Sequence, residues 1–306
     1  MTPVGDAAVM PSFAARWVAA ARPRTLPAAV APVLVGSACA LHARGFALVP
    51  AVAALLVALL LQIGTNFVND WGDFRRGADG PERVGPERAV AAGWISPAAM
   101  VTAAAVAFGA AALLGLYLTV RGGAAALALG ALSIAAGVAY TAGPFPLAYR
   151  GLGEVFVFAF FGPVAVCGTE LVQAGHVSGL ALAASVPVGC LAAAILIVNN
   201  VRDADTDARA GKRTIAVRLG TARTRGLYAL LVGAALLSPV LMGSGGAPPS
   251  VLLAPLALLA ARAPLDLVRS ASGSALNQAL AQTARLHLVF GALLAAGIAL
   301  PALAGD

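Results

Sequence analysis

Residues 46–79 read FALVPAVAALLVALLLQIGTNFVNDWGDFRRGAD. From Phe46 to Asn69 there are 24 residues without a formal charge, and then Asp70 and Asp73 arrive within one helical turn. A helix of roughly 20 apolar residues crosses a hydrocarbon core. The stretch therefore predicts a membrane-spanning helix whose last turns reach water and carry carboxylates. The helical reading is forced, because an open sheet leaves backbone N–H and C=O groups that lipid cannot satisfy.

The pattern recurs. Thr25–Ala43 and Gly122–Ala148 are also free of Asp, Glu, Lys and Arg. Candidate spans fall near 25–43, 48–69, 97–120, 123–141, 152–172, 179–200, 226–243, 249–267 and 286–303. The expected fold is all-α: a polytopic membrane helical bundle of about nine transmembrane helices with two Asp-rich cytoplasmic loops. Residues 1–24 would form a cytoplasmic N-terminal segment and 25–306 a single transmembrane domain. Composition agrees, with 60% hydrophobic and 11% charged residues and a mean hydropathy of +0.89. Soluble domains carry about 25% charged residues.

Met1–Arg24 contains Asp6, Pro11, Arg16 and Arg22 and no sustained apolar run, so it does not read as a cleavable signal peptide. Phe13, Trp17 and the arginines suggest a short interfacial segment, with an unstructured start as the alternative. Cys39, Cys167 and Cys190 lie in apolar spans without metal-like spacing and read as small packing residues. His42, His176 and His287 are scattered far from the acidic clusters.

The net charge of +7 matters less than its placement. With the N-terminus inside, 18 of the 20 basic residues fall in inside segments, and only Arg44 and Arg121 fall outside. The positive-inside rule demands such asymmetry. It puts the N-terminus in the cytoplasm of a cell-membrane protein and the C-terminus outside. The basic charge is accounted for by topology, so nucleic-acid binding is not expected.

Eight of the 13 acidic residues lie in two stretches on the cytoplasmic side. The first reads NFVNDWGDFRRGADGPERVGPER from Asn66, the second NNVRDADTDARAGKRT from Asn199. On a helix Asn66, Asp70 and Asp73 share one face, as do Asn199, Asp203 and Asp207, whereas Asp205 points away. Asn66/Asn199, Asp70/Asp203 and Arg76/Arg209 are each 133 residues apart, an internal echo. Two acidic rows facing one cavity repel each other unless a multivalent cation bridges them. Carboxylate and amide oxygens suit Mg²⁺, which completes its shell with water and substrate phosphate. The expected metal ligands are therefore Asn66, Asp70, Asp73, Asn199, Asp203 and Asp207, with a diphosphate as the bound anion. Arg83, Arg88, Lys212 and Arg213 stand nearby as phosphate contacts. The plain alternative is a solvated face of helix caps, and a second is an ion pathway, although these carboxylates lie at span ends rather than mid-membrane.

NFVNDWGD, followed by G-x-D and R-x-G-P-x-R, resembles the first aspartate-rich motif of the UbiA superfamily of intramembrane prenyltransferases. NNVRDADTDARAGKRTIAVRLG resembles the second. YTAGPFPLAYRGLGE (Tyr140–Glu154) and the Gly77/Asp79 spacing after Asp73 are similar to the branch that prenylates 1,4-dihydroxy-2-naphthoate for menaquinone synthesis. The resemblance implies Mg²⁺-assisted ionisation of a polyprenyl diphosphate, attack by the aromatic acceptor and loss of CO₂, giving demethylmenaquinone. It implies a prenyl tail lying among the spans and open to membrane lipid. The motif aspartates would be catalytic. Tyr140 could orient the acceptor or shield the allylic cation, and Arg24 could bind the diphosphate or the acceptor carboxylate. For Tyr140 and Tyr149 the alternative is anchoring at the membrane interface, and for Arg24 it is positive-inside placement. Arg150 and Glu154 are candidates for a structural ion pair. Other acceptors within the superfamily (4-hydroxybenzoate, haem, a lipid-linked sugar) stay open. A CDP-alcohol phosphotransferase would need one continuous D-G-x-x-A-R type motif, which is absent from the sequence, and a transporter would need ionisable groups in mid-span.

Overall fold

The computed structural model describes residues 10–80 and 82–304. Every regular element among them is helical. Helix α1 (Phe13–Ala21) starts at Ser12, whose hydroxyl accepts from the Ala15 N–H. Trp17 then packs edge-on against Phe67 at 5.7 Å. Helix α1 thus packs on the bundle, as the interfacial-segment reading expects, and residues 1–9 lie outside the described residues. After Arg22, in the left-handed region at φ 54°, the chain bends by 51° into α2 (Pro27–His42).

Helix α3 (Leu48–Arg75) runs 28 residues, about 42 Å at the α-helical rise. It therefore outlasts a hydrocarbon core of about 30 Å and carries Asp70 and Asp73 on helix rather than loop. The same holds for α6 (Gly179–Arg209), which carries Asp203 and Asp207. The sequence-based expectation of Asp-rich loops is corrected in this respect: Asp70, Asp73, Asp203 and Asp207 occupy the last turns of two long helices, whereas Asp79 lies in the loop after α3.

Helix α4 (Pro97–Ala139) covers 43 residues, but it is two helices joined at a kink, where Gly123 has the non-helical angles φ 59°, ψ −152°. A straight helix of that length would reach about 65 Å. Instead it doubles back: a Cβ on Gly137 would stand 3.3 Å from Phe108 Cζ, so two halves of α4 touch. Next come α5 (Gly153–Ala174), α6, the short α7 (Ile215–Leu219), α8 (Thr221–Ser244), α9 (Pro249–Ser270) and α10 (Gly273–Ala304). Within α5 the hydrogen bonding widens to a π turn over Phe160–Val164, where Pro163 supplies no N–H.

Among the described residues seven helices are long and apolar enough to cross a membrane, or eight when the bent segment Phe13–His42 is counted. Nine were expected; the difference arises at the tight Arg121–Gly123 turn, where the kink at Gly123 lies inside the one element Pro97–Ala139 that the sequence divides into two spans. Large apolar side chains point outward, among them Leu113, Val120, Leu241 and Leu259 at 72–88% exposure. A surface of this kind belongs in lipid, and the chain is a multi-pass integral membrane protein.

Helix α6 is the axis of the bundle, with 78% of its apolar window buried against 28–39% in the other six. Its neighbours approach through glycine. A Cβ on Gly162 would stand 2.7 Å from the Ser185 carbonyl, and one on Gly189 2.8 Å from the Phe158 carbonyl. Without a hydrophobic drive between helices in lipid, such close backbone approach supplies the packing. Gly189→Ala should therefore lower the apparent melting temperature in detergent by several degrees, the cost of overpacking being about 1–3 kcal/mol. Gly233→Ala, where a Cβ would meet nothing within 4 Å, should leave it unchanged or raise it slightly; equal effects at both positions would contradict the packing described.

Candidate active site

A cavity of about 740 Å³ opens between α2, α3, α4, α5 and α6. Its polar end holds Asn66, Asp73, Arg83, Arg88, Asn199, Arg202 and Lys212. Its walls are then apolar down to Val33, Leu118 and Val172. The shape suits an anionic head joined to a long hydrocarbon.

The first motif divides its labour. Asn66 donates through Nδ2 to the Ala21 carbonyl at 2.9 Å and to Thr25 Oγ1 at 3.1 Å, tying α3 to the α1–α2 bend. Asp70, 1% exposed, accepts from the Ala89 and Val90 N–H groups at 3.1 and 3.0 Å, one with each oxygen. It holds the following loop rather than lining the cavity. That loop brings Arg88 to Asp73 (3.2 Å) and to Asp79 (3.4 Å), while Arg83 pairs with Asp79 at 2.6 Å. Asp73, 2% exposed, also accepts from the Tyr149 hydroxyl at 3.0 Å.

In the second motif Arg202 is the organiser. Its guanidinium donates to both oxygens of Asp203 (2.7 and 2.6 Å), to Asn199 Oδ1 (2.7 Å) and to Asn277 Oδ1 (2.8 Å). A Cβ on Gly85 would stand 2.7 Å from Arg202 Nη2 and 3.1 Å from Arg83 Nη2. One glycine of the first loop thus lets two guanidiniums, one from each half of the chain, come together. Asp203 and Asp207 are buried and Asp205 exposed, as the helical register predicts.

Lys212 joins the halves. Its ammonium lies 3.9 Å from Asp73 Oδ2 and 3.8 Å from Asp207 Oδ1. Burial pulls the Lys212 pKa down, but Asp73, Asp207 and Asp203 together outweigh it and the net displacement is upward. Burial pushes the Asp79 carboxyl up to about 7 against the pull of Arg83, with Asp73 and Asp70 adding to the rise. Burial and then Asp73 raise the Tyr149 phenol, which stays a donor to that carboxylate.

Of the remaining candidates, Arg24 is exposed but lines the cavity, as does Tyr140. Arg213 is exposed and away from the cavity, contributing only backbone hydrogen bonds to Tyr149 and Arg218. The Arg150–Glu154 pair is not formed: Arg150 lies 3.7 Å over the Phe145 ring, and Glu154 accepts from Asn200. Arg22, Arg202 and Tyr149 are site residues that spacing alone did not single out. Arg202 stands next to Asp203, and charge counting assigned it to topology.

No three acidic, histidine or cysteine side chains converge as a ready metal cage among the described residues. The donor set nevertheless fits a hard divalent ion. One carboxylate from each motif, Asp73 and Asp207, already faces one cationic position, and Asp207 Oδ2 is buried without a hydrogen-bond partner. Mg²⁺ asks for only one or two protein carboxylates when a phosphate supplies the rest.

The chain matches the UbiA prenyltransferase family over residues 29–290. It is 46% identical over 254 residues to the 1,4-dihydroxy-2-naphthoate octaprenyltransferase of Mycobacterium tuberculosis, spanning 82% of this chain and 86% of that one. The protein of the same name from Escherichia coli is 38% identical over 222 residues, spanning 71% and 72%. The fold is that of a UbiA homolog from Archaeoglobus fulgidus bound to GPP and Mg²⁺, with a TM-score of 0.67 at 16% identity over 91% of this chain and 99% of that one. A UbiA homolog from Aeropyrum pernix K1 is similar, with a TM-score of 0.66 at 19% identity over 90% and 97%. With an aspartate pair on each of two helix ends above an apolar cavity, and a family match that runs nearly the length of the bundle, this chain belongs to the UbiA prenyltransferase family.

Proposed function

We propose that the protein transfers a polyprenyl group from polyprenyl diphosphate to 1,4-dihydroxy-2-naphthoate, releasing diphosphate and CO₂ and giving demethylmenaquinone. The observation that carries this reading is the Lys212 ammonium between Asp73 and Asp207 at the head of an apolar cavity. Relatives at 34–46% identity in several bacteria, all named 1,4-dihydroxy-2-naphthoate octaprenyltransferase, supply the acceptor.

In this reading Asp73 and Asp207, with Asn199 and Asp203 beside them, would hold Mg²⁺, which when bound would supply Lewis-acid neutralisation of the departing diphosphate. Arg83, Arg88, Arg202 and Lys212 donate to the phosphate oxygens as charge builds on them. Asp70 and Asn66 act behind that layer: Asp70 holds the Arg88 loop by its amides, and Asn66 holds the α1–α2 bend that carries Arg22 and Arg24. Tyr140 faces the cavity where the acceptor would enter. The apolar walls keep water from the allylic cation.

The doubling back of α4 at Gly123 supports two antiparallel spans there, making nine in all. Four crossings then separate the two motifs (the two halves of α4, then α5 and α6), so both motifs face the same side, and the placement of Lys and Arg makes that side the cytoplasm of a cell-membrane protein. Residues 1–24 then form a cytoplasmic N-terminal segment, and 25–306 form one domain.

Three measurements test this reading. Purified protein in detergent, given polyprenyl diphosphate and a panel of aromatic acceptors, should turn over dihydroxynaphthoate with release of labelled CO₂. EDTA should abolish the reaction and Mg²⁺ should restore it; retention of the carboxyl label or full activity in EDTA would refute it. Asp73→Ala and Asp207→Ala should each lower kcat by about 100-fold or more, since metal-mediated charge stabilisation is worth several kcal/mol, whereas exposed Asp205→Ala should stay within about threefold of wild type by the rule for surface sites. For topology, Gly80→Cys, Gly211→Cys and Ser244→Cys would be made singly in a chain lacking Cys39, Cys167 and Cys190. In intact cells an impermeant thiol reagent should reach only the cysteine at 244. Labelling of 80 and 211 from opposite sides would end the shared-site reading.

A further inference from the structure

One buried carboxylate on the cavity wall belongs to neither aspartate motif. Glu154 is 7% exposed, near the N-terminus of α5, and lines the cavity together with Gly153, Asn200 and Tyr140. Asn200 Nδ2 donates to its Oε1 at 2.6 Å. Its Oε2 takes no side-chain hydrogen bond from the described residues and is not among the sealed, unpartnered atoms. No lysine, arginine or histidine pairs with Glu154 among the described residues, and the titratable side chain beside it is Tyr140, whose hydroxyl lies 3.0 Å from where a Gly153 Cβ would stand. An unpaired carboxylate in an apolar wall is costly to keep. The next turns on the same helix, Phe156, Phe160 and Phe161, line the cavity with aromatic rings, two of them stacked at 5.9 Å. A carboxylate held through Oε1 by Asn200, with its own backbone N–H as the other donor and no cation paired to it among the described residues, above an aromatic wall, matches the edge of a hydroxylated ring better than it matches a diphosphate.

We propose that Glu154 is a catalytic residue that shuttles the acceptor hydroxyl proton, held in place by Asn200. This rests on the dihydroxynaphthoate reading above. The acceptor bears its carboxylate beside a hydroxyl. As the carboxylate-bearing ring carbon bonds to the allylic carbon, the allylic C–O bond breaks and its electron pair leaves on the diphosphate. The hydroxyl oxygen becomes a ketone and its proton passes to Glu154 Oε2. The intermediate is then a β-keto carboxylate. Its C–CO₂ bond breaks, the pair moves through the ring to the ketone oxygen, and that oxygen recovers the proton from Glu154. Glu154 ends as it began and the hydroquinone is restored. The same hydrogen bond selects acceptors with a hydroxyl next to the reacting carbon.

The test compares wild type, Glu154→Gln and Glu154→Asp in detergent under argon across a pH series. Binding of a non-reactive prenyl thiodiphosphate with Mg²⁺ is measured by calorimetry alongside. Glu154→Gln should keep wild-type affinity for the thiodiphosphate and lose roughly 100-fold or more in kcat, the usual scale for a general base. Its deficit should shrink as rising pH ionises the acceptor hydroxyl in solution. Glu154→Asp should recover part of the rate. A Glu154→Gln variant with wild-type kcat, or with a deficit constant across pH, would overturn the proposal, as would lost thiodiphosphate binding in both variants, which would mark a purely structural residue. Failure of wild type itself to use dihydroxynaphthoate would instead bring down the functional reading and this proposal with it.

Discussion

Four motif carboxylates, Asp70, Asp73, Asp203 and Asp207, are each at most 7% exposed at one end of an apolar bundle. Buried like charges are tolerable only when each is met by hydrogen bonds or a cation, and the architecture around them follows from that constraint. Asp70 is met by two backbone amides, Asp203 by the Arg202 guanidinium, and Asp73 by Arg88 and the Tyr149 hydroxyl. Asp207 is the least satisfied, with Lys212 at 3.8 Å and one oxygen without a partner. The residual demand for positive charge thus falls between Asp73 and Asp207, where a metal carrying a diphosphate would answer it.

Answering the other carboxylates also orders the loops. Among the described residues the segment after α3 has no helix of its own until Pro97, yet Asp70 anchors it through Ala89 and Val90, and Asp79 draws in Arg83 and Arg88. The segment after α6 is tied to the 140–152 turn by the Arg213 N–H on the Tyr149 carbonyl. At the surface Arg209 meets Glu82 at 2.8 Å, but with both side chains more than half exposed this pair adds little. The site's rigidity comes from buried hydrogen bonds to carboxylates, which are worth more than neutral ones.

Much of this was legible in the chain. Uncharged runs longer than a bilayer core leave helices as the only choice, and the 133-residue echo of Asn and Asp marks two matching acidic rows. Helical periodicity separated Asp203 and Asp207 from Asp205, and the structure buries the first two and exposes the third. The motifs resembled the UbiA superfamily, and the chain belongs to it. Spacing could not tell which oxygens would be spent on the protein itself. Asp70 and Asp73 stand on one face three residues apart, yet one holds a loop and the other lines the cavity.

The sequence by itself determined what depends on solvent and on position along one helix: that the chain spans a membrane, how its lysines and arginines are distributed, and which carboxylates share a face. These are local consequences of hydrophobicity and of a 3.6-residue period. Only the tertiary structure decided the partners. Arg202 reaches Asn277, Arg83 and Arg202 meet over Gly85, Glu154 turns from Arg150 to Asn200, and Lys212 settles between Asp73 and Asp207. Each of these joins residues far apart in sequence, or chooses among neighbours that spacing leaves equivalent. The choice depends on how closely helices approach through glycines such as Gly162 and Gly189, a distance that no single segment encodes.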